Sequence, residues 1–260
     1  MPIAVRSFPP DIVAPITQAS LIAGIRDGLI AAGFPAPLKS YTTGTDQFVV
    51  WQLVFDPLKT YGRAFYRLRV TAALGVTHMI GAGFADSTNT LINPSADSHL
   101  ITYASNVPIR LWGFRTEEMT LLSASQGAIH QLLGFFRFAD APSFDEASFP
   151  RILISRNDAA SSLTCTGLSP YGSALLIFAS SLGNTLMSNA DPYLQQRSQA
   201  TGILVYGPND GGIIARSSDD LASGACVGMV RGDVFQNVNA SPVENFLLLR
   251  PGAGALLIRV

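Results

Sequence analysis

From Phe48 to Thr71 the chain reads FVVWQLVFDPLKTYGRAFYRLRVT. Phe48 to Phe55 is apolar at every position but Gln52, and a near-continuous apolar run predicts a strand buried on both faces. Val49, Val50, Trp51 and Val54 favour strand over helix, because β-branched and aromatic side chains fit a pleated surface. Asp56-Pro57 ends the run, since proline cannot donate to a ladder and holds the preceding residue extended. Gly62 supplies the return. The second strand alternates: Tyr66, Leu68 and Val70 share one face, and Phe65, Arg67, Arg69 and Thr71 share the other.

Before this hairpin, residues 1 to 15 hold four prolines and predict an extended arm. Thr17 to Ala32 predicts the one clear helix. Ile22, Ile25 and Leu29 recur at helical spacing, with Leu21 and Ile30 beside them. Thr17 suits an N-cap and Gly33 a C-terminal stop. Gly24 and Gly28, one turn apart, predict close backbone packing on a sheet. Pro35 to Gln47 reads as a loop, as does the polar stretch Ala85 to Ser98. Ala73–Phe84, Tyr103–Gly113 and Met119–Ala124 read as strands. Gly127 to Phe138 fits either a short strand pair bending at Gly134 or a helical turn leading into a strand. Phe135, Phe136 and Phe138 favour strand.

After Ala139 to Pro150, ADAPSFDEASFP, the pattern changes. Short β-like runs alternate with Gly, Ser, Asn and Pro turns: Arg151–Ser155, Ser161–Thr166, Ala174–Ala179, Gly202–Tyr206, Gly211–Ala215, Ala225–Val230, Asn245–Leu249 and Ala255–Arg259. Asn189–Gln199 fits a helical turn or a loop. Residues 207–212 and 251–254 read as turns. Short strands at this spacing predict a sandwich or barrel. The expected fold is therefore α+β and mostly β. A helix packs on an antiparallel sheet and a β-sandwich or barrel-like half follows. The expected division is an arm (1–15), an α+β domain (16–140), a linker or docking loop (141–150) and an all-β domain (151–260).

Composition changes the picture in one respect. Only 13% of the 260 residues are charged and 48% are hydrophobic, against about 25% charged in a typical soluble domain. No window approaches the ~20 apolar residues that span a bilayer. A charge-poor chain without a spanning segment predicts burial against other subunits, because obligate interfaces resemble a core cut in half. Net charge is −1 with no basic block, which argues against nucleic acid as a main partner. Lys39 and Lys59 are the only lysines and the other fifteen basic residues are arginine, a bias that suits structured contacts. MPIAVRSFPPDIVAP has no apolar core of a secretory signal. Cys165 and Cys226 are too few for a disulfide framework or zinc site. Each fits a small buried hydrophobe, and a single bridge between them is the alternative.

Candidate chemistry is sparse. Ser123-Ala-Ser125-Gln-Gly127 lacks the first glycine of a hydrolase elbow, although a Ser125, His130, Asp140 triad can be written. His78, His99 and His130 lack metal spacing. Asp145-Glu146 and Asp219-Asp220 are adjacent acids; a glycosidase needs two carboxylates flanking a sugar at a separation set by the fold, whereas neighbouring acids in a loop are usually solvated. Gly81-Ala-Gly83 lacks the third glycine of a dinucleotide loop, and Asn209-Asp210-Gly211 lacks the remaining calcium ligands. No catalytic, cofactor or metal residue is assigned. Among aromatic residues near polar loops, Tyr103, Trp112, Tyr171, Tyr193 and Tyr206 fit sugar stacking, and the last three Tyr form the candidate platform. Core packing explains aromatics equally. Arg67 and Arg69 fit a solvated sheet face or a subunit contact. The double-sided burial of the first strand requires cover from the C-terminal half or a neighbouring subunit, which sets the contact level with the solvated face. Phe144 and Phe149 join them as interface candidates.

Two stretches, Tyr61 to Thr71 (YGRAFYRLRVT) and Leu133 to Pro150 (LGFFRFADAPSFDEASFP), resemble segments of structural proteins of tailed-bacteriophage virions, of the tail, baseplate or fibre-attachment type. The resemblance implies a non-enzymatic assembly role in a multi-copy particle built in the bacterial cytoplasm. Its partners would be copies of itself and other virion proteins, with no cofactor. It carries over no functional residue. The competing expectations are a carbohydrate- or receptor-binding module of a fibre or adhesin and, less favoured by the residues, a glycoside hydrolase or esterase.

Overall fold

The computed structural model describes residues 5–54, 63–95, 97–98, 100–116, 118–140, 152–157, 163–167, 177–178, 199–201, 204–206, 213–217, 219–226, 229–237, 242–250 and 252–260. The first half contains β1 (Val5–Ser7), α1 (Gln18–Ala32), β2 (Lys39–Thr43), β3 (Asp46–Val54), β4 (Arg63–Val70), β5 (Gly75–Ala85), β6 (Thr90–Pro94), β7 (Ile101–Thr102), β8 (Arg110–Arg115), β9 (Met119–Gln126) and β10 (Ile129–Asp140). The second contains β11 (Ile152–Asn157), β12 (Leu163–Gly167), β13 (Ile177–Phe178), β14 (Gln199–Thr201), β15 (Leu204–Tyr206), β16 (Ile213–Ser217), β17 (Leu221–Cys226), β18 (Val234–Asn237), β19 (Glu244–Arg250) and β20 (Gly252–Arg259). The fold is mostly β, with antiparallel sheets and one helix among the described residues.

The strands form three sheets. A six-stranded sheet runs β2-β3-β4-β5-β6 with β7 on β5, and a five-stranded one runs β14-β17-β20-β19-β18. The nine-stranded sheet joins β1, β8, β9 and β10 to β16, β15 and β13, with β11 and β12 branching from β10. It therefore takes strands from both sides of residues 141–150.

Helix α1 lies between the six-stranded and nine-stranded sheets, touching β3 and β4 on one side and β8 and β9 on the other. Thr17 and Ser20 close a capping box: the Thr17 hydroxyl accepts the Ser20 N–H at 3.1 Å and the Ser20 hydroxyl accepts the Thr17 N–H at 2.9 Å. Gly33 ends the helix at φ 120°, a backbone state that L side chains rarely adopt. The buried stripe is Leu21, Ile25, Gly28, Leu29 and Ala32. Ile22 is only half-buried and Ile30 is 39% exposed, so the stripe is rotated from the expected Ile22–Ile25–Leu29 line. Two sheets converge on the helix, and the side where both approach decides the buried face. Each fully buried Leu or Ile here contributes roughly 1.5–3 kcal/mol. Close approach is real at both glycines but differs in partner. A Cβ on Gly28 would meet Leu122 of β9 at 2.9 Å, whereas one on Gly24 would meet Ile12 of the arm at 2.5 Å.

The arm is extended and is held on its own chain. β1 pairs antiparallel with β8, and Ile12 exchanges backbone hydrogen bonds with Ile109 at 2.9 and 3.0 Å. Ile12 and Ile16 are buried, yet Val5, Phe8 and Val13 are 69%, 72% and 71% exposed.

The central hairpin forms as expected, with β3 and β4 in register from Gln47↔Val70 to Val54↔Arg63. Val49, Trp51 and Leu53 face the core, as do Ala64, Tyr66, Leu68 and Val70. Double-sided burial of β3 is narrower than the sequence implies. On the opposite face only Val50 is fully buried, while Phe48 and Gln52 are half-buried and Val54 is 52% exposed.

Several boundaries differ from expectation. Residues 35–47 contain β2 and the start of β3, joined across Gly44 at φ 61°. β2 is an edge strand, so its sequence KSYTT needs no apolar alternation. Residues 85–98 contain β6, which returns along β5 after a turn with Asn89 at φ 56°. In Tyr103–Gly113 only Arg110 onward joins a strand. Residues 104–107 instead loop around the Gln126 amide, which bonds the N–H and C=O of Ala104 and the C=O of Val107. β10 runs unbroken through Gly134, so the chain does not bend there into two strands. β17 precedes the expected Ala225–Val230 run, and β20 already begins at Gly252 within the expected turn. β1, β14 and β18 had no counterpart in the apolar pattern, being short or polar.

Candidate functional site: an arginine–aromatic face

The six-stranded sheet curls into a half-barrel. In a flat sheet β2 and β5 would stand three strand spacings, about 14 Å, apart. Here Tyr41 of β2 and Phe84 of β5 bring their ring centroids to 6.5 Å. Lys39 Nζ meets Asp86 Oδ1 at 2.7 Å, and Tyr41 Oη donates to the Asn89 carbonyl at 3.1 Å. The enclosed face is the one carrying the hairpin arginines. Tyr41 stacks on Phe48 at 4.8 Å and 6°, and Phe65 stacks on Phe84 at 6.4 Å and 27°. These rings are half-buried.

The two arginines differ. Arg69 is neutralised: its Nε and Nη2 reach Asp46 Oδ2 at 2.8 and 2.6 Å. Arg67 lies 5.4 Å over the Phe48 ring and donates from Nη2 to the Met79 thioether at 3.1 Å, a weak acceptor. Desolvation holds the Asp97 carboxyl above its ordinary range, while Arg67 and then Arg69 pull it down. Arg67 is thus a half-buried cation backed by an aromatic ring, with no carboxylate hydrogen bond among the described residues.

A shallow groove of about 280 Å³ lies on the helix side of the same strands, lined by Ile22, Arg26, Ser40, Thr42, Gln47 and Val49 among others. Arg26 there pairs with Asp27 at 2.7 Å.

The structure separates the remaining candidates. His130 stands directly opposite Ser125 in the β9–β10 register. Asp140, however, is ten residues further along β10, roughly 33 Å at the usual strand rise, where its backbone stands opposite that of Arg216 in β16. The triad is not brought together. His78 is buried against the Tyr66 hydroxyl at 2.7 Å. Asp220 is engaged with Arg259, whose Nε and Nη2 approach Oδ1 at 3.0 and 2.5 Å, and Glu244 takes the same guanidinium at 2.9 Å. Cys165 and Cys226 stand on different sheets, in β12 and β17. Tyr206 is in β15 opposite Ile177. Phe144, Phe149, Tyr171, Tyr193, His99, Asp145, Glu146 and residues 207–212 lie outside the described residues. Among the described residues no group of three or more His, Cys, Asp or Glu converges on a common point, and no helix is long and apolar enough to cross a membrane.

One contact escaped the sequence reading. Arg231 lies 3.5 Å over the Trp112 ring of β8 and donates to the Ser123 carbonyl of β9 at 3.2 Å. Burial, then the like charge of Arg110, lowers its pKa, against the pull of Asp11. Gly232 allows the approach, since a Cβ there would meet Trp112 at 3.1 Å. The only local signal is the turn composition of Arg231-Gly232-Asp233, which does not name a partner 108 residues away.

No protein-family profile matches this chain, and no curated protein matches it at a significant level.

Proposed function

We propose that this protein is a non-enzymatic structural component of a tailed-bacteriophage virion, of the tail, baseplate or fibre-attachment region, working through subunit–subunit assembly. It is built in the host cytoplasm and its partners are copies of itself and other virion proteins. The phage assignment rests on the sequence resemblance. The assembly role rests chiefly on one observation: Val5, Phe8 and Val13 are about 70% exposed on an arm whose neighbouring Ile12 and Ile16 anchor it to the core. Three large apolar side chains held outward on a fixed edge favour cover by another subunit. The low charge content points the same way.

Light scattering on the purified chain tests this reading. The expected result is an oligomer that a Val5→Ser, Phe8→Ser, Val13→Ser triple variant weakens at least tenfold without loss of the folded state. A wild-type monomer at high micromolar concentration would overturn it. Point changes are preferred to deleting the arm, because loss of Ile12 and Ile16 would open the core.

A further inference from the structure

The shallow groove beside α1 has a helix for one wall and an open strand edge for the other. Helix α1 contributes Ile22 and Arg26. Strand β2 contributes Ser40 and Thr42, and it ends its sheet with β3 as its one neighbour among the described strands. Lys39 and Tyr41 turn to the curled face and reach residues 86–89 with their side chains. Ser40 and Thr42 alternate to the helix side and stay exposed. Neither hydroxyl, nor the Gln47 amide, makes a hydrogen bond to another described residue. A groove between a helix and an edge strand suits an extended segment that adds as a further strand. Its backbone bonds the edge and its alternate side chains enter the groove.

The arm is such a segment. In β1, Ser7 packs inward beside Gly113 and Ala32, so Arg6 and Phe8 lie on the alternate, outward side. Pro9 holds Phe8 extended, and the ring is 72% exposed. β1 also ends its sheet, so its edge away from β8 is open among the described strands. Ile22 and Val49 give the groove an apolar floor for a ring. Arg26 at its rim is neutralised by Asp27, whose side chain is 61% exposed and suits the charge of Arg6. Within one chain the arm lies with β8 on one side of α1, and the groove lies with β2 and β3 on the other. The arm that fills a groove therefore comes from another copy.

We propose that the groove between α1 and β2 receives the arm of a second copy of this chain, with residues 5–8 added along β2 and Phe8 seated between Ile22 and Val49. The inference rests on the assembly reading and gives the exposed arm its docking site. The contact joins two different surfaces, so a chain that loses one of them keeps the other.

Two chains with one defect each test it by light scattering. Phe8→Ser removes the ring of the arm, and Thr42→Trp fills the groove. Each chain alone is expected to associate at least tenfold more weakly than wild type. An equal mixture should form one-to-one dimers, because the arm of the Thr42→Trp chain still meets the groove of the Phe8→Ser chain. A mixture as dissociated as its components overturns the proposal. So does undiminished association of the Thr42→Trp chain, which would leave the assembly reading standing and move the arm to another surface. A monomeric wild type would instead remove the assembly reading itself. Should Thr42→Trp misfold, a benzophenone amino acid in place of Phe8 supplies a second measurement on the otherwise unchanged chain. Irradiation should join two chains, with the link in α1 or in the tryptic peptide 40–59. Links confined to other segments, or to single chains, overturn the proposal.

Discussion

The hydroxyl of Tyr66 accepts the backbone N–H of Gly134 at 3.1 Å, across 68 residues of chain. Tyr66 belongs to β4 of the six-stranded sheet and Gly134 to β10 of the nine-stranded sheet. This bond ties the two layers where the core is driest. The same oxygen lies 2.7 Å from His78 Nδ1, and the His78 tautomer sets which of the two donates. Phe34 packs edge-on against the same ring at 5.1 Å. A second tie runs alongside: Tyr103 Oη donates to Gln131 Oε1 at 2.9 Å, and Gln131 Nε2 donates to the Val76 carbonyl at 3.3 Å.

Replacing Tyr66 with Phe keeps the ring packing but strands the Gly134 N–H. Leaving a buried donor unsatisfied costs about 1–3 kcal/mol. Urea denaturation should show that loss with an unchanged slope. A variant as stable as wild type would mean the bond does not form.

Gly134 itself should be intolerant. It sits at φ 115°, and a Cβ there would collide with the Thr120 carbonyl of β9. Strain and overpacking together predict that Gly134→Ala costs about 3 kcal/mol. For a chain of this size each kcal/mol lowers Tm by roughly 2–4 °C. A melting point within a degree of wild type would refute the assigned backbone.

Arg231 should act as a fastener between β8–β9 and the turn before β18. A partly buried cation–π contact contributes about 0.5–2 kcal/mol, and the bonds to Ser123 add to it. Arg231→Ala is expected to cost about 2 kcal/mol, within the range for cation–π and charged hydrogen bonds. It should also make Trp112 fluorescence more accessible to iodide, while Trp51, fully buried, stays shielded. Arg231→Lys should recover less than half, since an ammonium lacks the planar fork. Full recovery by lysine would reduce the contact to simple charge.

Alkaline pH should destabilise the fold through two tyrosines. Burial raises the phenols of Tyr66 and Tyr103 above their ordinary value, with the Gly134 bond opposing it at Tyr66 and the charge of Arg231 opposing it at Tyr103. The folded state therefore keeps protons that the unfolded chain releases above about pH 10. The associated stability is fully present below that pH and falls as pH rises beyond it. Titration followed at 295 nm should show these two phenols ionising only with unfolding. Reversible ionisation of all seven tyrosines in the folded chain would contradict this.

Local pattern was enough for the elements that carry their own chemistry. The Thr17 cap and Gly33 stop delimit α1, because capping is settled within four residues. The β3–β4 pairing follows from two apolar runs separated by a turn, and the core face of β4 from its period-two alternation. The mostly β class follows from the density of short apolar runs. Edge strands β1, β2 and β6 were illegible for a matching reason: one neighbour and one wet face leave polar sequences that look like loops. Which stripe of α1 is buried depended on two sheets converging on it. The difference between Arg67 and Arg69, two residues apart on one strand face, depended on where Asp46 and Met79 fall after pairing. The curl that sets Tyr41 against Phe84, and the turn that lays Arg231 on Trp112, join residues 43 and 119 positions apart. By itself the sequence determined local conformation, composition and the supply of arginines and aromatics. Only the tertiary structure decided which of those charges found partners, because pairing across sheets is settled by long-range packing that no local window contains.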